Sequence, residues 1–317
     1  MQSRKPLFFA VGTASLAAVA ALGVGVATAD KPSSAAAVSS STPGSTSATS
    51  PSSAPGTPST SPSAATAPAT AEDAAVDTAA VVAALQAYID ARGGDAAIAV
   101  YDRTTGTSVS VNGSAEFPTA SIVKVDVIAA LMLQRQADGE SLSSQEKAWA
   151  EAAITASDND AATALFRAIG GRTGLTAANR TLGLTETTVS SSWGMTTTTV
   201  DDQVRLLTTV SDTAGPLSSA NRTLLRGWMA GVIDEQRFGV TAAATADASA
   251  VYVKVGWVDL DDEGGLYATN SIGRVVEDDH DWVIAVLSDH NQSLGSGKTL
   301  INGIVTKAMG LLRSSAG

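Results

Sequence analysis

The fold is decided by one stretch, Phe117-Pro118-Thr119-Ala120-Ser121-Ile122-Val123-Lys124, which separates a β-rich beginning from a helical middle. Pro118 ends the incoming strand, because proline cannot donate a hydrogen bond to a sheet. Ser121 is predicted to open a helix over 121–136, whose apolar residues recur at helical spacing. Ser121 and Lys124 are three residues apart and therefore share one helix face. A lysine in an apolar helix needs a partner or a lowered pKa, so the pair is a candidate nucleophile and base.

A second Ser-x-x-Lys pair, Ser144 and Lys147, shows that this motif is weak by itself. That copy lies in a polar stretch and predicts only the start of a surface helix. The first copy differs because two further short motifs follow it, Ser157-Asp158-Asn159 and Lys254-Val255-Gly256. The order of the three motifs carries more information than any one of them.

Ser157-Asp158-Asn159 lies between two predicted helices. As chemistry, Ser157 relays a proton from Lys124 or Lys254 to a leaving group, and Asn159 holds a substrate amide. As structure alone, the same three residues form a good helix-capping turn. Both interpretations stay open on the sequence.

Lys254-Val255-Gly256-Trp257 lies in a strongly β segment over 251–258. A glycine in a strand lets another backbone approach closely, and we expect that backbone to belong to a substrate. The backbone N–H groups of Ser121 and Trp257 then form an oxyanion hole. The alternative is an edge strand that carries one solvated lysine.

Outward from these motifs, the hydrophobic pattern predicts a helix, two strands, a helical block, three strands and a final helix. The predicted helices cover 77–92, 121–136, 145–156, 159–169, 173–182, 200–210, 219–233 and 298–312, and the strands 96–101, 107–111, 251–258, 266–272 and 282–288. We therefore predict an α/β (α+β, three-layer) fold. Its five-stranded antiparallel sheet is covered by the N- and C-terminal helices, and the all-helical lobe is an insertion.

The chain divides into three predicted parts. Residues 1–29 have a basic start, an apolar run and a small-residue cleavage site, and so predict a signal peptide. Residues 30–75 are rich in Ser, Thr, Ala and Pro and predict a disordered linker. Residues 76–317 form the folded domain. We expect a secreted, extracytoplasmic protein, with membrane anchoring by an uncleaved signal as the alternative.

The composition and charge of the chain limit the kinds of molecule that it is expected to bind. The net charge of −11 disfavours nucleic acid and anionic membranes. The acidic stretch 259–264 lacks the final glutamate of a calcium loop, and 296–299 lacks the first glycine of a phosphate loop. We expect no metal and no cofactor, and a monomer. The chain has no cysteine, so its core must provide the stability without disulfides.

The three motifs and their order resemble the S-x-x-K, S-D-N and K-T-G boxes of the penicillin-recognising serine hydrolases, in particular class A β-lactamase-like proteins of actinobacterial type. The likeness covers residues 76–317. It implies that Ser121 is the nucleophile, Lys124 the base, Ser157 the proton relay and Lys254 an electrostatic anchor. It also implies that Asn159 contacts the substrate.

The chain departs from that family pattern in three places. The interval between Lys124 and Ser157 is short. Val255 stands where a threonine or serine hydroxyl would bind a substrate carboxylate, and Asn270 or Ser271 on the next strand is a candidate replacement. Residues 184–195 lack the Glu-Pro-x-x-Asn pattern whose glutamate positions the deacylating water, and Glu186 is their only carboxylate.

These observations predict an exported serine hydrolase that forms an acyl-enzyme with an amide, either a D-alanyl peptide of peptidoglycan or a β-lactam. The missing glutamate predicts poor deacylation. A slow or narrow-spectrum class A-like β-lactamase is one alternative. A non-catalytic ligand-binding protein on the same fold is another.

Overall fold

The computed structural model describes residues 76–260 and 264–314. The predicted signal peptide (1–29) and linker (30–75) lie outside the described residues, as do residues 261–263 of the acidic turn. Within the described ranges, no helix combines the length and apolarity that crossing a membrane requires.

One antiparallel sheet organises the domain. Its strands are β1 (Ala96–Asp102), β2 (Ser108–Val111), β5 (Ala250–Leu260), β6 (Leu266–Val276) and β7 (Asp281–Asn291). The order across the sheet is β2-β1-β7-β6-β5, so β1 and β7 join the beginning and the end of the domain. The predicted five-stranded sheet is confirmed. The last three strands are longer than predicted, because their ladders continue past the apolar runs into polar residues.

Helices cover both faces of the sheet. The first helix, α1 (Thr78–Asp90), packs on the last, α8 (Leu294–Ser314), and α8 lies on β6 and β7. The helix α6 (Val200–Ser211) packs against β1 and β7. The predicted three-layer arrangement is therefore confirmed. The final helix begins at Leu294 rather than 298, so the stretch 296–299 lies inside its first turns.

The helical lobe is built around α2 (Lys124–Ala137), in which every residue from Lys124 to Met132 is buried. Around it pack α3 (Ser144–Thr155), α4 (Asn159–Ala168) and α5 (Gly171–Leu182), and α7 (Ser219–Ala230) packs on α3. The second Ser-x-x-Lys copy lies at the start of α3, where Ser144 and Lys147 are exposed. That copy is a surface helix start, as predicted.

The pattern did not predict a short two-stranded pairing between β3 (Phe117–Pro118) and β4 (Thr197–Thr198). It ties the stretch before Ser121 to the segment that leads into α6. The pairing places residues 184–195 beside the candidate nucleophile, although more than sixty positions separate them in the chain.

Candidate active site

Ser121 lies in a 3-10 turn, Ala120–Val123, and not in the first turn of an α-helix as predicted. The α-helix begins three residues later, at Lys124. The turn is tighter because Ala120 has a left-handed backbone, with φ of 47°. Two contacts hold the entry to the turn: the Thr119 N–H donates to the Thr196 carbonyl (2.7 Å), and Asn270 Nδ2 donates to the Pro118 carbonyl (2.7 Å).

Lys124 is held by the second motif. Its side chain is 1% exposed, and Nζ donates to the Ser157 carbonyl (2.7 Å), to Ser157 Oγ (3.1 Å) and to Asn159 Oδ1 (2.8 Å). These three acceptors match the three protons of an ammonium group. Among the described residues, no hydrogen bond joins Ser121 Oγ to Lys124. The candidate base and the candidate nucleophile are therefore close in the chain without sharing a hydrogen bond in this part of the structure.

Lys254 reaches the same hydroxyl from the opposite lobe. Its side chain is fully buried, and Nζ donates to Ser157 Oγ (3.0 Å) and to the Val255 carbonyl (3.1 Å). Ser157 has a left-handed backbone, with φ of 59°, immediately before α4. Both lysines thus converge on one hydroxyl, and the sequence-predicted residues of all three motifs lie together.

Burial sets the protonation of the two lysines. Removal from water lowers the pKa of Lys124 to about 8, and the Asp158 carboxylate partly opposes that change. Removal from water also lowers the pKa of Lys254 to about 7, with repulsion from Lys124 as the second cause. Because desolvation disfavours the charged form, a neutral amine becomes accessible near neutral pH. That is the state in which a lysine can accept a proton.

Gly256 has a different neighbour from the one expected. A Cβ built on it would lie 2.7 Å from the Ser121 N and 2.8 Å from both the Ile122 N and the Thr119 O. The backbone whose approach requires this glycine is therefore that of the Ala120–Val123 turn, which carries the candidate nucleophile. The neighbouring Trp257 side chain is half-buried against Phe238, with ring centroids 6.2 Å apart.

The proposed replacements for the missing threonine are not available. Asn270 and Ser271 are both fully buried. Asn270 is engaged with the Pro118 and Thr119 carbonyls, and Ser271 Oγ donates to the Phe238 carbonyl and accepts from the Val240 N–H. Neither side chain can reach a substrate carboxylate, so that expectation was wrong. Val255 is itself fully buried in the apolar core.

Residues 184–195 are anchored by Asp202, which sequence reasoning missed. The buried Asp202 carboxylate accepts from the Thr185 N–H (3.3 Å), the Glu186 N–H (2.8 Å) and Thr187 Oγ1 (2.8 Å). The Glu186 carboxylate accepts from Thr199 Oγ1 (3.2 Å). The only carboxylate of the segment thus has a structural partner.

Trp193 is a second residue that the sequence did not reveal. Its ring centroid lies 5.0 Å from Lys124 Nζ, and its Nε1–H donates to Thr163 Oγ1 (3.1 Å). Trp193 is the only aromatic residue of 184–195. That isolated aromatic side chain was the available signal, but its target could not be read from one chain.

A third missed residue is Asp126, two positions after Lys124. It is fully buried, and neither carboxylate oxygen has a hydrogen-bond partner among the described residues. Burial raises its pKa to about 8, and the nearby Asp202 carboxylate adds to the increase. A pKa in that range favours the neutral carboxylic acid at neutral pH.

Comparisons with known proteins identify the family and fold of this chain. Residues 80–149 and 133–311 match the beta-lactamase enzyme family. The beta-lactamase AER-1 of Aeromonas hydrophila is 28% identical over 238 residues, which are 63% of this chain and 74% of that protein. An engineered variant of the reconstructed class A β-lactamase of the last common ancestor of Gram-negative bacteria is 26% identical, with a TM-score of 0.59 over 72% of this chain and 96% of that chain.

A mutant of PBP-A, solved as an acyl-enzyme complex with penicillin G, shares the fold. It is 18% identical, with a TM-score of 0.65 over 74% of this chain and 97% of that chain. The family match spans most of the described residues, and the sheet, the helical lobe and the order of elements agree with it. The chain therefore belongs to the beta-lactamase enzyme family, and it is a serine hydrolase of the penicillin-recognising type.

Proposed function

We propose that this enzyme is acylated on Ser121 by an amide, with Lys124 as the base, and that it releases the acyl group slowly. The substrate is a D-alanyl peptide of peptidoglycan or a β-lactam. The observation that carries the proposal is the convergence of two buried lysines on Ser157 Oγ, beside the turn that holds Ser121. A fold without chemistry would gain nothing from two desolvated lysines.

The chemistry follows from these positions. Ser121 Oγ attacks the amide carbonyl carbon while its proton passes to neutral Lys124. The oxyanion that forms is stabilised by the backbone N–H groups of Ser121 and Trp257. The carbon–nitrogen bond then breaks, and the leaving nitrogen takes a proton through Ser157. Lys254 keeps positive potential at the relay, and Asn159 orients the substrate amide. The product is an ester on Ser121.

The test is intact-protein mass spectrometry of the full chain after incubation with a fluorescent penicillin. We expect a persistent adduct with the mass of one probe, which disappears in Ser121→Ala. The matched control is Ser144→Ala, which changes the serine of the exposed Ser-x-x-Lys copy and should leave the adduct intact. An adduct that survives Ser121→Ala, or a wild-type protein that is never labelled, contradicts the proposal.

A slow β-lactamase is the runner-up, because it shares the acylation step and differs only in the lifetime of the ester. Persistent labelling supports an acyl enzyme with weak deacylation. Steady hydrolysis of a chromogenic cephalosporin, with no adduct at steady state, supports the β-lactamase. The third alternative, a non-catalytic binding protein, does not fit membership of an enzyme family.

The domain plan and export are part of the same proposal. Cleavage after Ala29 would release a chain in which residues 30–75 form a spacer and residues 76–317 act as a monomeric catalytic domain. N-terminal sequencing of the protein from the culture medium tests the cleavage site, and sedimentation analysis tests the monomer. A protein that stays in the membrane fraction with Met1 intact contradicts the cleavage.

A further inference from the structure

The indole of Trp193 is fixed above the candidate base by its own hydrogen bond. Its Nε1–H donates to Thr163 Oγ1 (3.1 Å), and Thr163 Oγ1 donates to the Asn159 carbonyl (2.8 Å). The chain of contacts therefore runs from Trp193 to α4, the helix that also positions Asn159 against Lys124. The ring is held on the same helix as the groups that bind the lysine.

The contacts of Lys124 Nζ leave little space for water. Three of them are the Ser157 and Asn159 oxygens, and the fourth is the face of the Trp193 ring at 5.0 Å. An aromatic face attracts an ammonium group but offers no hydrogen-bond acceptor comparable with a carboxylate. Residues 184–195 thus present an apolar surface to the base.

The other charged groups near Lys124 do not lie on the side of the lysine that Trp193 covers, or they bind another residue. Lys254 lies across Ser157 Oγ on β5, and Asp158 acts on Lys124 from the turn before α4. Glu186 is bound to Thr199 Oγ1. In the part of the chain that the structure describes, no carboxylate of residues 184–195 contacts Ser121 or Lys124.

We propose that Trp193 is a positioning residue that closes this side of Lys124 against water and so preserves the acyl-enzyme. The inference rests on the proposed acylation of Ser121. Hydrolysis of the ester requires a water oxygen to attack the ester carbonyl carbon while its proton passes to neutral Lys124. The ester carbon–oxygen bond then breaks, and Ser121 Oγ recovers that proton. The indole occupies the space from which Lys124 would bind this water.

The experiment measures the half-life of the fluorescent-penicillin adduct in the full chain. We expect Trp193→Ala to shorten the half-life at least about tenfold, a modest part of what general-base catalysis supplies. The rate of adduct formation should not increase. Trp193→Phe keeps an aromatic face but loses the hydrogen bond to Thr163, so its half-life should lie between those of Trp193→Ala and the wild type. An unchanged or longer half-life in Trp193→Ala overturns the inference, as does a half-life in Trp193→Phe as short as that in Trp193→Ala.

The outcome separates the positioning role from a loss of folding. A variant that is partly misfolded should acylate more slowly, and its deacylation should not become faster. Thr163→Val supplies a milder change, because it removes the acceptor that fixes the indole and the bond from Thr163 Oγ1 to the Asn159 carbonyl but leaves the indole itself in the chain. We expect a half-life between those of the wild type and Trp193→Ala. A half-life in Thr163→Val shorter than that in Trp193→Ala would contradict the proposed order of contacts.

Nuclear magnetic resonance tests the contact between Trp193 and Lys124 without any substrate. The indole N–H resonance of Trp193, assigned by its loss in Trp193→Phe, should shift as Lys124 loses its proton near pH 8, and Lys124→Met should abolish that shift. If the wild type forms no adduct, the proposed function fails, and the inference that depends on it fails too. If the adduct forms, this resonance tests the inference separately. A Trp193 signal that ignores the charge of Lys124 overturns it.

Discussion

Replacing Gly256 by alanine tests whether the β5 edge shapes the nucleophile turn. The new Cβ would lie 2.7 Å from the Ser121 N and 2.8 Å from the Ile122 N and the Thr119 O, and all three are backbone atoms. Ordinary van der Waals contact begins at 3.4 Å, so the turn or the strand must move by about 0.7 Å. No flexible side chain can absorb this displacement. The turn that carries Ser121 must therefore change its position relative to β5.

The expected consequences are large for chemistry and moderate for stability. A displacement of this size is comparable with the ~1 Å misplacement that costs about a hundredfold in rate, so we expect a loss of about ten- to a hundredfold in acylation. Inserting a methyl group into a packed site costs about 1–3 kcal/mol of unfolding free energy. The rate of labelling by a fluorescent penicillin and a urea titration measure the two effects separately.

Gly310→Ala is the matched control for Gly256→Ala. Gly310 lies in α8, and a Cβ there meets no atom within 4 Å. Because alanine favours a helix more than glycine does, the control should gain up to about 1 kcal/mol and keep the wild-type labelling rate. The reasoning is refuted if Gly256→Ala labels as fast as the wild type with unchanged stability.

Three further changes probe the protonation and packing of the site. The acylation rate should rise as pH increases through about 7, where the lysine pair loses its first proton and the remaining proton can reside on Lys254 while Lys124 is neutral, and a pH–rate profile that is flat there contradicts a lysine base. As pH rises from 3.8 towards about 8, the wild type should lose stability relative to Asp126→Asn. In this window the folded wild type retains the carboxyl proton of Asp126, whereas the unfolded chain releases it. Urea titrations measure that difference, which we expect to reach a few kcal/mol, and a difference independent of pH would exclude the mechanism. Val255→Thr should lose about 1–3 kcal/mol, because its hydroxyl would be buried without a partner. It should not bind carboxylate-bearing β-lactams more tightly, and a clear increase in their affinity would show that position 255 faces the substrate.

The sequence was sufficient for the fold and for the residues of the three motifs. Alternation and helical spacing identified the sheet and the helical lobe, since both are local properties of the chain. Lys124 and Lys254 were visible because a lysine in an apolar segment is unusual. The sequence interpretation made Ser157 a relay for Lys124 or Lys254, and in the structure both lysines donate to Ser157 Oγ.

The remaining features depend on contacts between distant segments. Asn270 holds the Pro118 carbonyl across 152 positions of sequence, and neither residue carries a local signal of that bond. The start of the helix was predicted too early because the apolar pattern runs unbroken through Ile122 and Val123. The structure instead has a tighter 3-10 turn there, and that turn packs closely against Gly256 of a distant strand. Trp193 was missed for a similar reason, since a single aromatic residue in a polar segment does not reveal which group it covers.

The two lysines and Ser157 form a relay whose direction depends on which lysine is neutral. A serine hydroxyl can accept from two donors but donates only one proton. When Lys254, with a pKa of about 7, is neutral and Lys124, with a pKa of about 8, is charged, Ser157 accepts from Lys124 and donates to Lys254. Moving the remaining proton across this relay makes Lys124 neutral at a cost set by the difference between two lowered pKa values.

That cost is small compared with the barrier of an enzymatic reaction, so a neutral Lys124 is accessible even while the pair holds one proton. In the proposed mechanism, Lys254 therefore has a second role beside electrostatic anchoring, because it holds the proton that Lys124 must release before it can deprotonate Ser121. This exchange of a proton between the two lysines is accessible because both are buried. In water, pKa values near 10.5 would keep both lysines charged. The interface between the two lobes thus supplies the desolvation, and the chemistry at Ser121 depends on that interface remaining closed.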